Sequence, residues 1–222
     1  MKNLIYAVIV FLVLFASQAN AQVSVGFLGG VNFGDLKSEE NNIESKSFLG
    51  IGGLIEYNLG DNFSLVAEPM YLQKGGVQPE SNTQPEIRIN LSFIELPLLL
   101  KYKFNFSESI KPYLVAGPTA GYRLSAKMNA DINMIAFSGD LENVSQAFDF
   151  GVTMGAGIEI PLESIFIFLE GRYSFGLIDI HKNGTFEATG GGMTMRETFT
   201  DENWFKTKGV QIMTGIKFPL GS

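Results

Sequence analysis

Between Phe148 and Ile160 every second residue is apolar, and the residues between them are Asp, Gly, Thr or Glu. Because successive side chains of a β-strand point to opposite faces, this period-two pattern predicts a strand with two different environments. Few strands of soluble proteins separate their faces so cleanly over this length. The pattern therefore favours a fold built from long strands that are apolar on one side.

Alternation of this kind recurs along the chain and predicts eight strands. Each is near or above the about 9–11 residues that a tilted strand needs to cross a bilayer, and bacterial single-chain barrels have an even number of strands. The predicted strands are approximately Val23–Phe33, Phe48–Leu59, Phe63–Lys74, Arg88–Phe104, Lys111–Leu124, Phe148–Ile160, Ile165–Leu177 and Val210–Phe218.

Two features of these segments are irregular. In Arg88–Phe104 the apolar residues change face near Phe93, which predicts a bulge there or a strand that projects beyond the bilayer. Pro69, Pro97 and Pro118 lie inside predicted strands, where each removes a hydrogen-bond donor. We therefore expect bulges or rim positions at these prolines.

The connections between the strands fall into two length classes that alternate strictly. In a membrane barrel the short turns lie on the periplasmic side with both termini, and the long loops face the exterior. The predicted fold class is therefore all-β, a transmembrane antiparallel up-and-down β-barrel of eight strands. The short connections are Gly60–Asn62, Asn105–Ser109 and Pro161–Ser164, and the long ones are Asp35–Ser47, Gly75–Ile87, Ser125–Ala147 and Ile178–Gly209.

The last long connection contains a further strand-like segment. Phe186–Thr198 has Gly190–Gly192 at its centre, which predicts a hairpin with a glycine turn. This hairpin either extends the last two strands outward or adds two strands and makes ten. The strand count of ten is less favoured because Thr185–Thr189 is too short to cross a bilayer.

The N-terminus has the three parts of an export signal. Lys2 supplies the positive charge, Leu4–Ala16 the apolar stretch, and Ala19–Ala21 the small-residue cleavage site. We expect residues 1–21 to be a signal peptide, with cleavage before Gln22 after Sec-type export, and residues 22–222 to be one outer-membrane barrel domain. A buried N-terminal helix of a cytosolic protein is the alternative.

Composition supports the same class. The chain is 45% hydrophobic and 18% charged, but no run after residue 15 is long enough for a transmembrane helix, so the apolar residues are dispersed. The net charge of -7 becomes -8 without Lys2, which argues against nucleic-acid binding. The absence of Cys excludes disulfides, a thiol metal site and a lipid-anchored N-terminus.

Tyrosines fall towards the ends of predicted strands, where an amphipathic ring is favoured at the headgroup level of a membrane. Ordinary core packing in a soluble β-sandwich or lipocalin-like barrel is the alternative interpretation of the alternation. That alternative requires an apolar buried face, whereas the second face here is rich in Gly and charge. The tyrosines are Tyr57, Tyr71, Tyr102, Tyr113, Tyr122 and Tyr173.

This second face carries ten ionisable residues. Charged groups inside a narrow barrel must pair, because an isolated charge away from water costs several kcal/mol. We expect an ion-pair network that fills the lumen. A path for protons or small ions is the alternative. A wide pore is not expected, because the interior of an eight-stranded barrel is just wide enough for side chains to fill. The residues are Glu56, Glu68, Glu95, Lys101, Arg123, Asp149, Glu159, Glu170, Arg172 and Lys217.

Enzymatic functions find little support. His181 is the only histidine, so a Ser-His-Asp hydrolase or a histidine metal site would have to use it, and no nucleophile elbow is visible. Gly50–Gly53 and Gly155–Gly157 match phosphate-binding loops only weakly, because no helix follows either one. We predict no catalytic, cofactor-binding or metal-binding residue and no cofactor.

Six motifs carry a resemblance to one known family: Ile94–Tyr102, Lys111–Leu114, Gly117–Pro118, Asp149–Gly151, Gly155–Glu159 and Gly171–Leu177. In these motifs the chain looks like the outer-membrane β-barrel family of Bacteroidetes that includes PorT-like proteins, and the match spans nearly all of residues 22–222. The resemblance implies an integral outer-membrane protein; some relatives are associated with type IX secretion and gliding, and others are called porin-like.

The favoured function is that of a non-enzymatic structural or interaction barrel, accessory to a protein-secretion or envelope complex. Its candidate interaction surface is the last loop, where Phe186, Phe199, Trp204 and Phe205 add aromatic anchors to a charged segment. A small-solute or ion porin is the alternative, and a lipid-modifying enzyme that uses His181 is a second one. The expected partners are outer-membrane lipid and envelope proteins; the oligomeric state is left open.

Overall fold

The computed structural model describes residues 23–37, 44–79, 85–132, 135–179, 182–199 and 206–220. The predicted signal peptide lies outside these residues and stays a prediction. The described residues form one short 3-10 helix, Glu142–Val144, and twelve strands. The strands are β1 Val23–Lys37, β2 Glu44–Asn58, β3 Phe63–Ala67, β4 Met70–Gln78, β5 Glu86–Lys103, β6 Lys111–Ile132, β7 Ile135–Asp140, β8 Phe148–Leu162, β9 Ile165–Gly176, β10 Gly184–Gly190, β11 Met193–Phe199 and β12 Lys206–Leu220.

Antiparallel pairing closes the sheet into a ring of eight positions. The ring runs β1, β2, β3 with β4, β5, β6, β8, β9 and β12, and β12 pairs with β1 from Val23↔Leu220 to Lys37↔Lys206. The strands β3 and β4 occupy one position, since both pair with β2 and β5. The predicted eight-stranded all-β barrel is confirmed.

The break between β3 and β4 lies at Pro69, as expected for a residue without an amide hydrogen. The Pro69 carbonyl accepts a hydrogen bond of 2.9 Å from the Gly53 amide, and the Glu68 amide donates one of 3.1 Å to the Pro97 carbonyl. The ring therefore stays hydrogen-bonded through the break. The bulge predicted at Pro97 and Pro118 is absent, because the register of β5 and β6 is the same on both sides of them. The pairing of these two strands is nevertheless interrupted between Pro97 and Leu100, opposite Pro118, so the ladder is irregular beside both prolines.

The register between β5 and β6 shifts once, between Ser92 and Phe93 of β5, and leaves Leu124 of β6 unpaired. This is the bulge predicted near Phe93. Outward of the bulge both strands continue, and the inward side of β5 changes from charged Glu95 to Phe93 and Leu91. The change of apolar face therefore marks the point where the strands enter a different core.

The connections at the two ends of the ring differ in length, as the two classes of loop predicted. At one end lie both chain ends of the ring and three short connections, including the two-residue turn Glu163–Ser164 between β8 and β9. At the other end β6 continues into β7, and β7 pairs with the hairpin of β10 and β11. We call β7, β10, β11, the outer ends of β5 and β6, and residues 141–147 the extension.

The predicted glycine-turn hairpin forms, with Gly191 and Gly192 at positive φ of 56° and 79°. It does not lengthen the last two ring strands, and it does not enter the ring to make ten. Instead β10 joins β7, so the expected extension of β9 and β12 was wrong. Seven residues per strand are too few to cross a bilayer, which explains why the hairpin stays outside the ring.

The outer surface of the ring is apolar and its inner surface is buried. In β5, Ile94, Leu96, Leu98 and Leu100 are 41–51% exposed, whereas the alternate residues Glu95 to Lys101 are buried. Among the described residues no helix is long and apolar enough to cross a membrane. A ring whose apolar side chains point outward matches the period-two pattern of membrane-spanning strands.

Aromatic side chains gather at the rim near the short turns. The rings of Phe63 and Tyr102, and those of Tyr102 and Phe104, have centroids 4.9 Å apart. Tyr57, Tyr122 and Tyr173 are also exposed on the outer surface. Tyr113 departs from the predicted belt, because it is 2% exposed and faces the lumen.

The described residues form two apolar cores. The first, which we call the inner cluster, lies inside the ring, so the lumen is filled by apolar side chains as well as by the expected ion-pair network. The second is the extension core, which packs outside the membrane-spanning part of the ring. The inner cluster is Leu28, Leu54, Val66, Met70, Leu99, Tyr113, Val115, Phe168 and Met213, and the extension core is Leu91, Phe93, Ala126, Ala130, Phe137, Leu141, Val144, Phe186 and Ala188.

Candidate functional site: the lumen and the extension

The centre of the lumen holds a two-hydrogen-bond ion pair between opposite walls. Arg172 of β9 donates from Nη1 and Nη2 to the two carboxylate oxygens of Glu68, at 2.5 and 2.9 Å. Its Nε also donates to Glu170. All three residues are at most 3% exposed. Planar, bidentate pairing of this kind is the strong form of a charge-assisted hydrogen bond.

A second ionic cluster closes the lumen near the short turns. Lys217 Nζ lies 2.8 Å from carboxylate oxygens of both Glu56 and Glu159, and Lys101 Nζ lies 2.7 Å from Glu159. Lys103 Nζ lies 2.5 Å from Glu56. The cluster thus sets three ammonium groups against two carboxylates, and we call it the short-turn cluster.

The side chain of Tyr113 covers the short-turn cluster. The Lys101 ammonium lies 3.9 Å from the centroid of the Tyr113 ring, a cation–π distance. Gly157 of β8 makes room for this ring, because a Cβ at that position would lie 2.5 Å from the tyrosine hydroxyl. The small residue is therefore required by close packing inside the ring.

A third ionic cluster, which we call the outer cluster, lies towards the extension. Lys74 Nζ pairs with Glu95 and lies 3.0 Å from Asp149 Oδ2. Thr207 Oγ1 donates to the same Asp149 oxygen at 3.0 Å. One ammonium group therefore serves two carboxylates, and both carboxylates are at most 4% exposed.

Hydroxyl groups occupy the space between the central pair and the outer cluster. The Thr119 and Thr153 hydroxyl oxygens are 2.9 Å apart, and those of Thr153 and Ser174 are 2.6 Å apart. The Gln211 amide donates to Ser174 at 3.4 Å. Polar contacts thus run along one side of the lumen, while the inner cluster fills the rest.

The structure brings nine of the ten predicted lumen residues into these three clusters, and Arg123 into none. The Arg123 Nε donates to the Gln146 carbonyl at 3.1 Å, and Nη2 lies within 3.4 Å of the Glu142 and Ser145 carbonyls. Arg123 lies two residues beyond Gly121 on the same face of β6, where this strand leaves the ring. Its side chain therefore binds the extension and does not pair with lumen carboxylates.

Sequence reasoning missed Lys74 and Lys103. Both share the inward parity of a predicted lumen residue on the same stretch, Glu68 and Lys101 respectively. Continuing the period-two count to the ends of the strands would have found them. The missed residues matter because they supply two of the five cations in the three clusters.

The predicted aromatic anchors are only partly described. Phe186 is 3% exposed inside the extension core, so it is not an accessible anchor for a partner, which corrects that prediction. The backbone of Phe199 ends β11 opposite Gly184. Trp204, Phe205 and His181 lie outside the described residues.

A cavity of about 400 Å³ opens at the short-turn end of the lumen. Its lining includes Asn58, Lys111 and Phe166, and its inner wall is formed by Glu159 and Lys217 of the short-turn cluster. Within the described ranges, no group of three or more His, Cys, Asp or Glu side chains could hold a metal ion.

A closed ring of eight antiparallel strands with an apolar outer surface and a buried, ion-paired lumen defines an outer-membrane β-barrel. The chain belongs to the family described as the outer membrane protein beta-barrel domain, whose model matches residues 15–182. The outer membrane is accordingly its location. None of the curated proteins matches the chain in sequence.

The chain is similar to several solved outer-membrane proteins at low sequence identity. A major outer membrane protein from Thermus thermophilus is 8% identical, with a TM-score of 0.53 over 88% of this chain and 98% of that one. OprG from Pseudomonas aeruginosa is 15% identical, with a TM-score of 0.49 over 91% and 97%. The N-terminal barrel domain of OprF from the same organism is 16% identical, with a TM-score of 0.40 over 90% and 98%.

Proposed function

We propose that this protein is a non-enzymatic barrel whose filled lumen makes it a rigid support, and whose extension is the surface that meets other envelope proteins. The observation that carries the proposal is that both apolar and ionic side chains fill the ring. The inner cluster and the three ionic clusters together occupy the lumen, and Glu56, Arg172 and Met213 are at most 2% exposed. A ring packed in this way is a stiff support, because its described interior is occupied by side chains.

The same filling argues against the alternative function of a porin. The cavity at the short-turn end is lined by Glu159 and Lys217, whose Oε2 and Nζ atoms lie 2.8 Å apart. A solute that crossed the ring would have to separate these ions and then part the Arg172–Glu68 pair. Leaving buried charges without partners costs several kcal/mol for each charge.

The extension is suited to recognition because it has a core of its own on a rigid base. Phe137, Phe186 and Leu91 are at most 6% exposed, so the five strands around them are packed and not loose. The opposite face of the hairpin is polar and accessible. Its exposed side chains are Thr185, Glu187, Thr189, Thr194, Arg196 and Thr198.

The finer assignment is to a protein-secretion or envelope complex. It rests on the resemblance of motifs such as Ile94–Tyr102 and Gly171–Leu177 to PorT-like barrels of Bacteroidetes. A polar surface of threonines and one Glu187–Arg196 pair, at 2.8 Å, is suited to a folded, polar protein surface better than to an apolar peptide.

Site-specific photocrosslinking in intact cells tests this proposal. A photoreactive residue replaces Thr194 or Thr198 on the hairpin, and in a matched control it replaces Leu98 on the lipid-facing surface. We expect one defined envelope protein to be crosslinked from the hairpin positions and lipid from Leu98.

A second pair of variants separates recognition from folding. Arg196→Glu places two acidic groups opposite each other and should abolish the crosslink, whereas Arg196→Glu with Glu187→Arg restores the pair and the hairpin. Crosslinking that is equal from all three positions, or absent from the hairpin in correctly inserted protein, would overturn the interaction role.

A further inference from the structure

We propose that the outer cluster binds one small monovalent cation, Na+ or an ion of similar size, beside Asp149. The charge count of the lumen gives the first reason. The short-turn cluster has one excess positive charge and the central group of Arg172, Glu68 and Glu170 has one excess negative charge, so these neighbouring clusters offset each other. The outer cluster keeps one negative charge without a counter-charge.

The hydrogen bonding of Asp149 gives the second reason. Lys74 and Thr207 both lie 3.0 Å from Oδ2, so that oxygen has two donors. Among the described residues Oδ1 has no donor, although Asp149 is only 4% exposed. A buried carboxylate oxygen without a partner is costly, and a cation placed against it removes that cost.

Arg123 is the nearest further cation along β6, two residues beyond Gly121, which pairs with Asp149. Its Nε and Nη2 lie within hydrogen-bond distance of the carbonyls of Gln146, Glu142 and Ser145, and its Nη1 has no partner among the described residues. Arg123 forms no ion pair with Asp149 or Glu95 within the part of the chain that the structure describes. The residual charge of the outer cluster therefore stays local.

A small space lies beside Asp149 and Glu95. It has a volume of about 10 Å³, which is close to what one water molecule or one small ion requires. Its lining includes Lys74, Glu95 and Asp149 of the outer cluster and four residues that carry hydroxyl groups, Thr119, Thr153, Ser174 and Thr207. Carboxylate and hydroxyl oxygens are the donors that a hard cation prefers.

Charge and size together specify the ion. With Lys74 bound, one elementary charge remains, so a monovalent ion neutralises the cluster and a divalent ion would leave a buried positive excess. The narrow space favours Na+ or Li+ over K+, and it excludes choline. The ion would bind in the interior and stabilise the barrel, without crossing it.

Thermal unfolding of the full, membrane-inserted chain tests the proposal. The midpoint is measured by circular dichroism in NaCl, LiCl, KCl and choline chloride at equal ionic strength. We expect Na+ to raise the midpoint over choline by about 5–10 °C when its concentration is a hundredfold above Kd. Equal midpoints in all four salts would overturn the proposal.

Three variants locate the ion. Asp149→Asn removes both the free oxygen and the residual charge and should abolish the preference for Na+. Thr119→Val keeps every charge and removes one hydroxyl, so a folded protein with a weaker Na+ effect is expected even if Asp149→Asn does not fold. Asp131→Asn changes an exposed carboxylate of the extension and should leave the Na+ effect intact.

A bound proton is the competing way to neutralise the cluster, and infrared spectroscopy separates the two. A protonated carboxyl has a C=O stretching band that a carboxylate lacks. The proposal predicts no such band for Asp149 or Glu95 in NaCl. A band that persists in NaCl and disappears in Asp149→Asn, or a Na+ effect that survives in that variant, would contradict the site.

Discussion

Arg172 and Glu68 face each other across the full width of the lumen, four ring positions apart in either direction. They are 104 residues apart in sequence and make two hydrogen bonds of 2.5 and 2.9 Å. No local segment can form this contact, so it exists only when the ring has closed between β12 and β1. The pair therefore links the stability of the interior directly to closure of the barrel.

Removing Arg172 should be strongly destabilising. Arg172→Met leaves Glu68 and Glu170 buried without their cation, and we expect a loss of about 3–5 kcal/mol in the free energy of unfolding. Adding Glu68→Gln should recover part of this loss, because one of the unpaired charges is removed. Urea unfolding in lipid bilayers measures both values. Arg196→Met, on the exposed hairpin, is the control and should change stability by less than about 1 kcal/mol. Similar losses at both arginines would contradict the cross-lumen pair.

Substitution by alanine should destabilise the protein at one of two glycines on neighbouring strands and have little effect at the other. In Gly157→Ala the new methyl group meets the Tyr113 ring at 2.5 Å, and we expect a cost of about 1–3 kcal/mol from overpacking. In Gly171→Ala the methyl group meets nothing within 4 Å, so stability should stay within about 0.5 kcal/mol. The same unfolding experiment compares them, and equal effects would show that Tyr113 does not fill the lumen as described.

The lipid-facing surface predicts a depth-dependent penalty for charge. Leu98 points outward in the middle of β5, and Leu98→Arg should destabilise the inserted protein by about 2–4 kcal/mol. Leu220→Arg at the rim, next to the chain end of β12, should cost only about 0–1 kcal/mol. Unfolding from bilayers measures the difference. A rim effect as large as the central one would contradict the placement of the membrane.

The extension should loosen independently of the ring. Phe186→Ala removes the largest buried side chain of β10 from the extension core, a change that typically costs about 3–5 kcal/mol. Amide hydrogen exchange should accelerate in β7 and β10 and stay slow in β8 and β9. Met193→Ala, at a side chain that is 53% exposed, should change neither region. Faster exchange throughout the ring in Phe186→Ala would show that the two cores are one cooperative unit.

The ring could be predicted from sequence because each membrane strand carries its two environments in alternate residues. The period-two pattern of Phe148–Ile160 specified which side faces hydrocarbon and which side faces the lumen, and the same parity placed Glu159 and Asp149 inside. Loop lengths also distinguished the two ends of the ring. A short turn requires the following strand to pair with the strand before it.

The contacts that give the site its character could not be read from that pattern. Parity predicts that Glu68 and Arg172 point inward, but not that they meet, because pairing across a lumen depends on the axial offset of strands that are not neighbours. The inner cluster was missed because Tyr113 and Phe168 have the same parity as the lumen charges. Arg123 was misplaced because the bulge at Leu124 lies next to it, where β6 leaves the ring.

Conductance of the purified protein in planar bilayers tests the central claim that the interior is filled. Insertion is verified by protease protection, and an established porin in the same bilayers shows that open channels are detectable. A lumen blocked by the inner cluster and by the Arg172–Glu68 pair predicts a silent bilayer. A steady ohmic current from the inserted protein that changes size in Arg172→Glu or Glu95→Lys would contradict the account and identify the lumen as a pore.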